Sequence, residues 1–294
     1  MLIVRIAAFA VFLFVASCGP AVTQLPPEDA IADDAVAAWR AEAYAPSRAE
    51  AVEHRLTDLQ PIFAEPAQAA MGLPFPSVRV AAAVGPDGRV LSARIVSARE
   101  GALGAPQTAA TSAQALAQAR SLRFAPFVVE GGSVPAHVEI FIPLVETRTP
   151  PPPSRTFPEG SLADTRFILS RTGCFGSCPA YTVTIEGSGE VTWQGEAYVA
   201  QRGAARRRIE PSAVTALLDR ARAAGFFDLK DVYRADITDG ATYTVTITHG
   251  GLSKTVEDYD GALVGMPWEV TLLEQAIDRA AGTAKWIGPD QMPF

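Results

Sequence analysis

Three cysteines and three histidines are few thiolate and imidazole ligands for soft or borderline metal ions in a chain of 294 residues. His54, His137 and His249 stand far apart, so a histidine-rich metal centre is not expected. Basic residues are outnumbered 25 to 32, and a net charge of −7 argues against a nucleic-acid binder, which is normally basic. No apolar run reaches the roughly 18 residues of an ordinary membrane-spanning helix. Glycine-rich phosphate loops, a His-Glu-x-x-His motif and a Gly-x-Ser-x-Gly elbow are all missing. Neither a cofactor nor a metal is therefore expected. What is present is apolar material: 48 % of residues are hydrophobic and 19 % charged, enough to build a core. At about 150 residues per domain, the length suggests two domains.

Near the start, Arg5 precedes residues 6–15, an apolar run too short to span a bilayer and suited to the core of a signal peptide. The run leads into Val15-Ala16-Ser17-Cys18. Small residues before a single cysteine resemble the lipobox of bacterial lipoproteins. The resemblance implies a signal peptide over 1–17, cleavage before Cys18, and a diacylglyceryl thioether on Cys18. A plain secretory signal with an incidental cysteine is the other reading. Buried acyl chains contribute about 0.8 kcal/mol per methylene, so a multiply acylated cysteine anchors a protein to a membrane without a spanning helix. Gly19 is not the aspartate that commonly retains such proteins in the inner membrane. The resemblance thus implies an outer-membrane lipoprotein facing the periplasm, with the inner membrane as the alternative. Cysteines in such a compartment tend to be oxidised.

Residues 18–73 read as a tether with a short helical segment. Pro26-Pro27 and Glu28-Asp29 suit a helix start, and apolar residues continue to Tyr44. Pro46 interrupts, and a second helical stretch covers 47–59, with Trp39 and Leu56 available for packing. Residues 74–146 then change period. Val78, Val80, Ala82 and Val84 alternate, Gly85-Pro86-Asp87-Gly88 supplies a turn, and Val90 to Ile95-Val96 form the return strand. A helix over 106–120 has Ala109, Ala113, Leu116 and Ala119 in register, and a strand over 136–144 follows. This β-β-α-β order, with Gly88-Arg89-Val90, Ala115-Leu116-Ala117-Gln118-Ala119-Arg120, Leu122-Arg123-Phe124-Ala125-Pro126, Gly131-x-x-Val134-Pro135 and Phe141, resembles the C-terminal domain of TonB-type energy transducers. That resemblance implies a small domain that offers a sheet edge to envelope partners.

Residues 147–160 are a Pro-rich linker, in which Pro150 to Pro153 favour polyproline II. Residues 161–288 read as a second α+β domain. Strands are expected over 165–170, 180–185, 190–193, 242–248 and 252–257, and helices over 211–224 and 267–281. Each helix opens at a proline and stops at Gly225 or Gly282. Tyr181-Thr182-Val183-Thr184-Ile185 recurs as Tyr243-Thr244-Val245-Thr246-Ile247, which suggests a duplicated β-β-α unit in one antiparallel sheet; chance strand composition explains it equally. The fold class is α+β, with two small antiparallel-sheet domains.

Between the first two strands of this domain, Cys174 and Cys178 would stand about 13 Å apart if extended, beyond bridging distance. Gly176 and Pro179 permit a turn that brings them together. A structural disulfide, a thiol–disulfide exchange pair and soft-metal ligands are the three readings. The string Cys174-Phe175-Gly176-x-Cys178-Pro179-x-Tyr181, with Gly225-Phe226-Phe227, Tyr233, Thr238-Asp239 and Lys254-x-Val256-x-Asp258-Tyr259, resembles a bacterial family of unknown function across 163–287. Asp228, Asp231, Asp236 and Asp239 lack the alternating pattern of a calcium loop. Arg206-Arg207-Arg208 suits a solvated face, and Ser170, Ser177 and His249 form no recognisable triad.

The expectation is a non-catalytic envelope lipoprotein, held on the membrane by Cys18 and contacting a protein partner. The alternatives are a thiol–disulfide enzyme using Cys174 and Cys178, and a small-ligand or cation binder at the acidic loop. Replacing Cys18 with serine is expected to release the chain from the membrane fraction and abolish acyl labelling. An acylated or membrane-retained serine variant contradicts the lipobox reading.

Overall fold

A computed structural model describes residues 43–46, 48–63, 77–96, 109–145, 149–152 and 157–288. Cys18, Trp39 and the first expected helix up to residue 42 lie outside the described residues. Among those described, no helix is long and apolar enough to cross a membrane. The architecture is α+β, built on two main sheets with separate cores.

The first sheet contains β1 (Ile62–Phe63), β2 (Ser77–Val84), β3 (Val90–Ile95) and β6 (Ala136–Val145), in the order β1-β6-β2-β3. A small ribbon, β4 (Phe127–Val129) with β5 (Gly132–Val134), stands beside it. Two helices accompany them, α1 (Arg48–His54) and α2 (Ala109–Ser121). Val78, Val80, Ala82 and Val84 face the core, and the intervening Ala81 and Ala83 are buried as well. The β2–β3 turn needs Gly88: its φ is 78°, and a Cβ there would sit 1.8 Å from the Phe124 carbonyl oxygen.

Several expectations are corrected here. On α2 the buried residues are Ala115 and Ala119, with Leu122 just beyond its end, while Ala113 is exposed, because the small side chains at 115 and 119 let the helix approach the sheet closely. Tyr44 is extended, not helical: it forms a parallel bridge to Ala136, and its carbonyl accepts from His137 N at 2.8 Å. The second helical stretch stops at His54, since Arg55 bridges to Phe124 and Leu56 N donates to the Arg123 carbonyl. Leu56, expected to pack, is 68 % exposed. Both ends of the outer edge of β6 are thus occupied by the chain itself, at Tyr44 and at β1, which pairs in parallel with Leu144 and Val145.

The second sheet has seven strands in the order β10-β9-β8-β7-β12-β13-β11. They are β7 (Arg166–Arg171), β8 (Ala180–Glu186), β9 (Glu190–Ala197), β10 (Gly203–Arg208), β11 (Val232–Arg234), β12 (Tyr243–His249) and β13 (Leu252–Tyr259). Helices α3 (Pro211–Ala223) and α4 (Trp268–Ala281) cover one face, and a short α5 (Ala284–Ile287) closes the end. Gly225 and Gly282, with φ of 60° and 66°, end the long helices as expected. Strands β10 and β11 were not foreseen. Arg206 to Arg208 lie on the edge strand β10, exposed as the reading of a solvated face expects.

The two Tyr-Thr-Val-Thr-Ile strands flank β7 in the same register. Arg171 stands opposite both Tyr181 and Tyr243, and Phe167 opposite both Ile185 and Ile247. Their hairpin partners diverge, however: β9 lies on the outer side of β8 and β13 on the opposite side of β12, while α3 and α4 share one face. Two β-β-α units of opposite hand cannot be superposed by rotation, so the likeness ends at the strand. Both sheets are antiparallel except for the short edge strands β1 and β11.

Asp58, just after α1, joins the two halves. Its carboxylate accepts from Arg220 of α3 at 2.6 Å and from Arg279 of α4 at 3.0 Å. Beside it, buried Arg55 donates to Gln275 at 3.1 Å, and the Trp268 indole N–H donates to the Leu59 carbonyl at 3.3 Å. Asp58→Ala is expected to cost about 2 kcal/mol, because it removes charged hydrogen bonds and leaves Arg279 largely buried without its acceptor. Denaturant melting measures this, and an unchanged midpoint contradicts the clamp.

Candidate functional site

The chemistry-bearing residues of the second sheet collect at one end, where β7 and β13 finish and β8 and β12 begin. Arg171 closes β7 and is 5 % exposed. Its guanidinium carbon lies 4.9 Å from the Tyr243 ring centre. Beneath it, α4 contributes Glu274 and Asp278, one turn apart and both buried, and β13 contributes buried Asp258. The Tyr181 hydroxyl donates to both oxygens of Asp278 at 2.8 Å, and the Thr283 hydroxyl donates to Oδ1 at 2.9 Å. Asp258 accepts from the Gly261 amide at 2.5 Å and shares a side-chain hydrogen bond with Glu274.

Three carboxyl groups near one buried cation cannot all be ionised cheaply. Burial pushes Asp258 up to about 7, opposed by its hydrogen bond from Gly261. Burial also raises Asp278 to about 6, against the stabilising bonds from Tyr181 and Thr283. Glu274 is driven well above the carboxylate range by burial, and the neighbouring charges of Asp258 and Asp278 add to the effect. Tyr181 is raised too, first by burial and then by Asp278. Glu274 is therefore the most strongly raised of the three, and its hydrogen bond with Asp258 favours the proton on Glu274.

Above this polar knot lie two loops that hydrogen-bond to each other. Cys174 and Cys178 form a disulfide with Cα atoms 5.5 Å apart, so the turn does close as the sequence allows. Phe175 N donates to the Asp239 carbonyl at 3.2 Å, and Thr172 and Thr242 exchange bonds of 3.0 and 2.9 Å. Tyr259 fixes the acidic loop, donating to the Ile237 carbonyl at 3.1 Å and accepting from Gly240 N at 3.2 Å.

The remaining candidates are dispersed. Asp228 ends a short helical turn, Asp231 pairs with Lys254, and Asp236 and Asp239 are exposed. Among the described residues, no group of three or more His, Cys, Asp or Glu side chains could hold a metal ion. Ser170 bonds Thr182 at 2.9 Å on the polar face of the sheet, whereas His249 is buried on the core face against Thr165. Ser177 is exposed in the disulfide loop, so the three do not meet. Arg206 reaches Glu190, and Arg207 donates to the Ala281 carbonyl at 3.2 Å. A cleft of about 210 Å³ opens between the two halves, lined by Phe63, Met266, Trp268 and Glu269 among others; it does not include the knot.

Sequence reasoning missed Glu274 and Asp278. On paper they are polar residues on an exposed helix face. Their signal is their position, flanking the stripe Val270, Leu273, Ile277 and Ala281 that faces the core. The family model described as a domain of unknown function (DUF6438) matches residues 165–281, which contain the disulfide and every carboxylate of the knot. No curated protein matches the chain.

Raised carboxyl pKa values have a definite sign for stability. Between about pH 4 and 7 the unfolded chain gives up protons that Asp258, Glu274 and Asp278 keep, so their contribution is full at low pH and is lost as pH rises. Denaturation of the wild type is expected to show stability falling across that window, and Asp258→Asn to flatten the fall. A variant whose slope equals that of the wild type overturns the assignment.

Proposed function

We propose that this chain is a non-catalytic cell-envelope lipoprotein that makes protein contacts in the periplasm, anchored through Cys18 and built from a TonB-like domain and a disulfide-pinned domain. The observation that carries the reading is the Cys174–Cys178 bond, which belongs in an oxidising compartment and agrees with the lipobox-like Val15-Ala16-Ser17-Cys18. The polar knot supports a structural role: it is buried, and its hydrogen bonds run between its own members. Among the described residues, β3 is paired on one side only, with Leu91 and Arg94 exposed, which makes it the edge open to partners in this reading, whereas β10 carries Arg206 to Arg208, and charged edges resist strand addition.

The thiol–disulfide reading needs a thiolate stabilised by a helix N-terminus or a free cation. Cys174 and Cys178 lie between two strands, and the nearby Arg171 faces the carboxylates of the knot. The Cys174→Ala/Cys178→Ala variant is expected to fold and to lose about 2 kcal/mol, the entropy of so short a closed loop. Wild-type protein isolated without reductant is expected to contain no free thiol at either position. Turnover of a dithiol substrate, or a reduction potential above about −300 mV, would favour the enzyme instead.

A further inference from the structure

The most exposed large apolar side chain among the described residues is Phe175, at 87 %. It does not sit on a loose segment. The disulfide closes the loop on either side of it, its amide is bonded to the Asp239 carbonyl, and Thr172 and Thr242 cross-link the same two loops. A covalently closed loop has already lost much of the backbone freedom that binding would otherwise remove, leaving only the ring's rotamers to be fixed. Such rings are the usual anchors of protein interfaces.

The surroundings say what kind of surface would receive it. Asp236 and Asp239 are exposed on the adjoining loop, and Asp260 lies beside Gly240 at its base. Arg234, the nearest exposed cation in sequence, is paired with Glu257 and stacked 4.8 Å from the Tyr259 ring centre. The loop that holds the Phe175 amide, through the Asp239 carbonyl, thus carries two exposed carboxylates, Asp239 itself and Asp236 three residues before it.

We propose that the disulfide-closed loop is a docking knob: Phe175 enters an apolar pocket on a protein partner, and lysine or arginine side chains around that pocket meet Asp236 and Asp239. This rests on the protein-contact reading above and deepens it by naming the surface. The carboxylates steer the encounter, and the ring supplies the buried area.

The test uses the full lipidated chain in native cells, with p-benzoylphenylalanine placed singly at 175, at Leu91 on the β3 edge, and at Leu252, which is 57 % exposed at the far end of the sheet. On irradiation, position 175 is expected to give a discrete protein adduct about tenfold above position 252. Adding Asp236→Lys and Asp239→Lys is expected to reduce it about tenfold, in a salt-dependent way. Peptide mapping of the adduct is expected to place basic residues next to the cross-linked site. Opening the loop with Cys174→Ala and Cys178→Ala, in a variant shown by circular dichroism to be folded, is expected to reduce it as well. An adduct at Leu91 alone overturns the knob but leaves the protein-contact reading standing. Lipid adducts alone at 175 assign the ring to the membrane and overturn the knob. No protein adduct at 175 or 91 overturns both, and an adduct at 175 indifferent to the charge reversals overturns recognition through Asp236 and Asp239.

Discussion

A buried arginine at the end of the central strand is the constraint from which the second domain follows. Arg171 stands opposite Tyr181 on one side and Tyr243 on the other, so both inner strands place a tyrosine beside the same cation. A guanidinium taken out of water needs negative charge close by. Asp278 on α4 supplies it, with Glu274 one turn away on the same helix face, and this fixes which face of α4 meets the sheet. The helix is consequently buried almost all round: its inner side serves the knot, and Gln275 on another side receives Arg55.

The same knot explains why the two loops above it are ordered. Each begins or ends on a member of the cluster, with Arg171 leading into the disulfide loop, Tyr181 following it, and Tyr243 following the acidic loop. The disulfide limits the first loop from within, while Tyr259 ties down the second. A side chain carried there, such as Phe175, is presented from a fixed frame. The Asp58 clamp adds the other half of the molecule to that frame through α3 and α4.

Much of this was legible beforehand. Alternation marked β2, β7, β8 and β12, and the proline and glycine punctuation placed α3 and α4 to within a residue or two. Cys174 and Cys178 could be judged closable from Gly176 and Pro179. The remainder depended on tertiary placement. Glu274 and Asp278 carry no local mark that separates a buried acid from a solvated one. Arg206 to Arg208 form a strand because β9 offers its edge, not because arginine favours strands. The opposite hands of the two hairpins, and Asp58 meeting arginines more than 150 residues away, have no one-dimensional signature.

The central claim is that Arg171 and its carboxylates hold both loops as one unit. Amide hydrogen exchange on the folded full chain, comparing the wild type with Arg171→Gln and Arg171→Lys, tests it most directly. The account predicts lost protection at Thr172, Phe175, Gly240 and Thr242 together in the glutamine variant, partial recovery in the lysine variant, and unchanged protection in β2 and β6. Loss confined to one loop, or protection equal to that of the wild type in both, would contradict it.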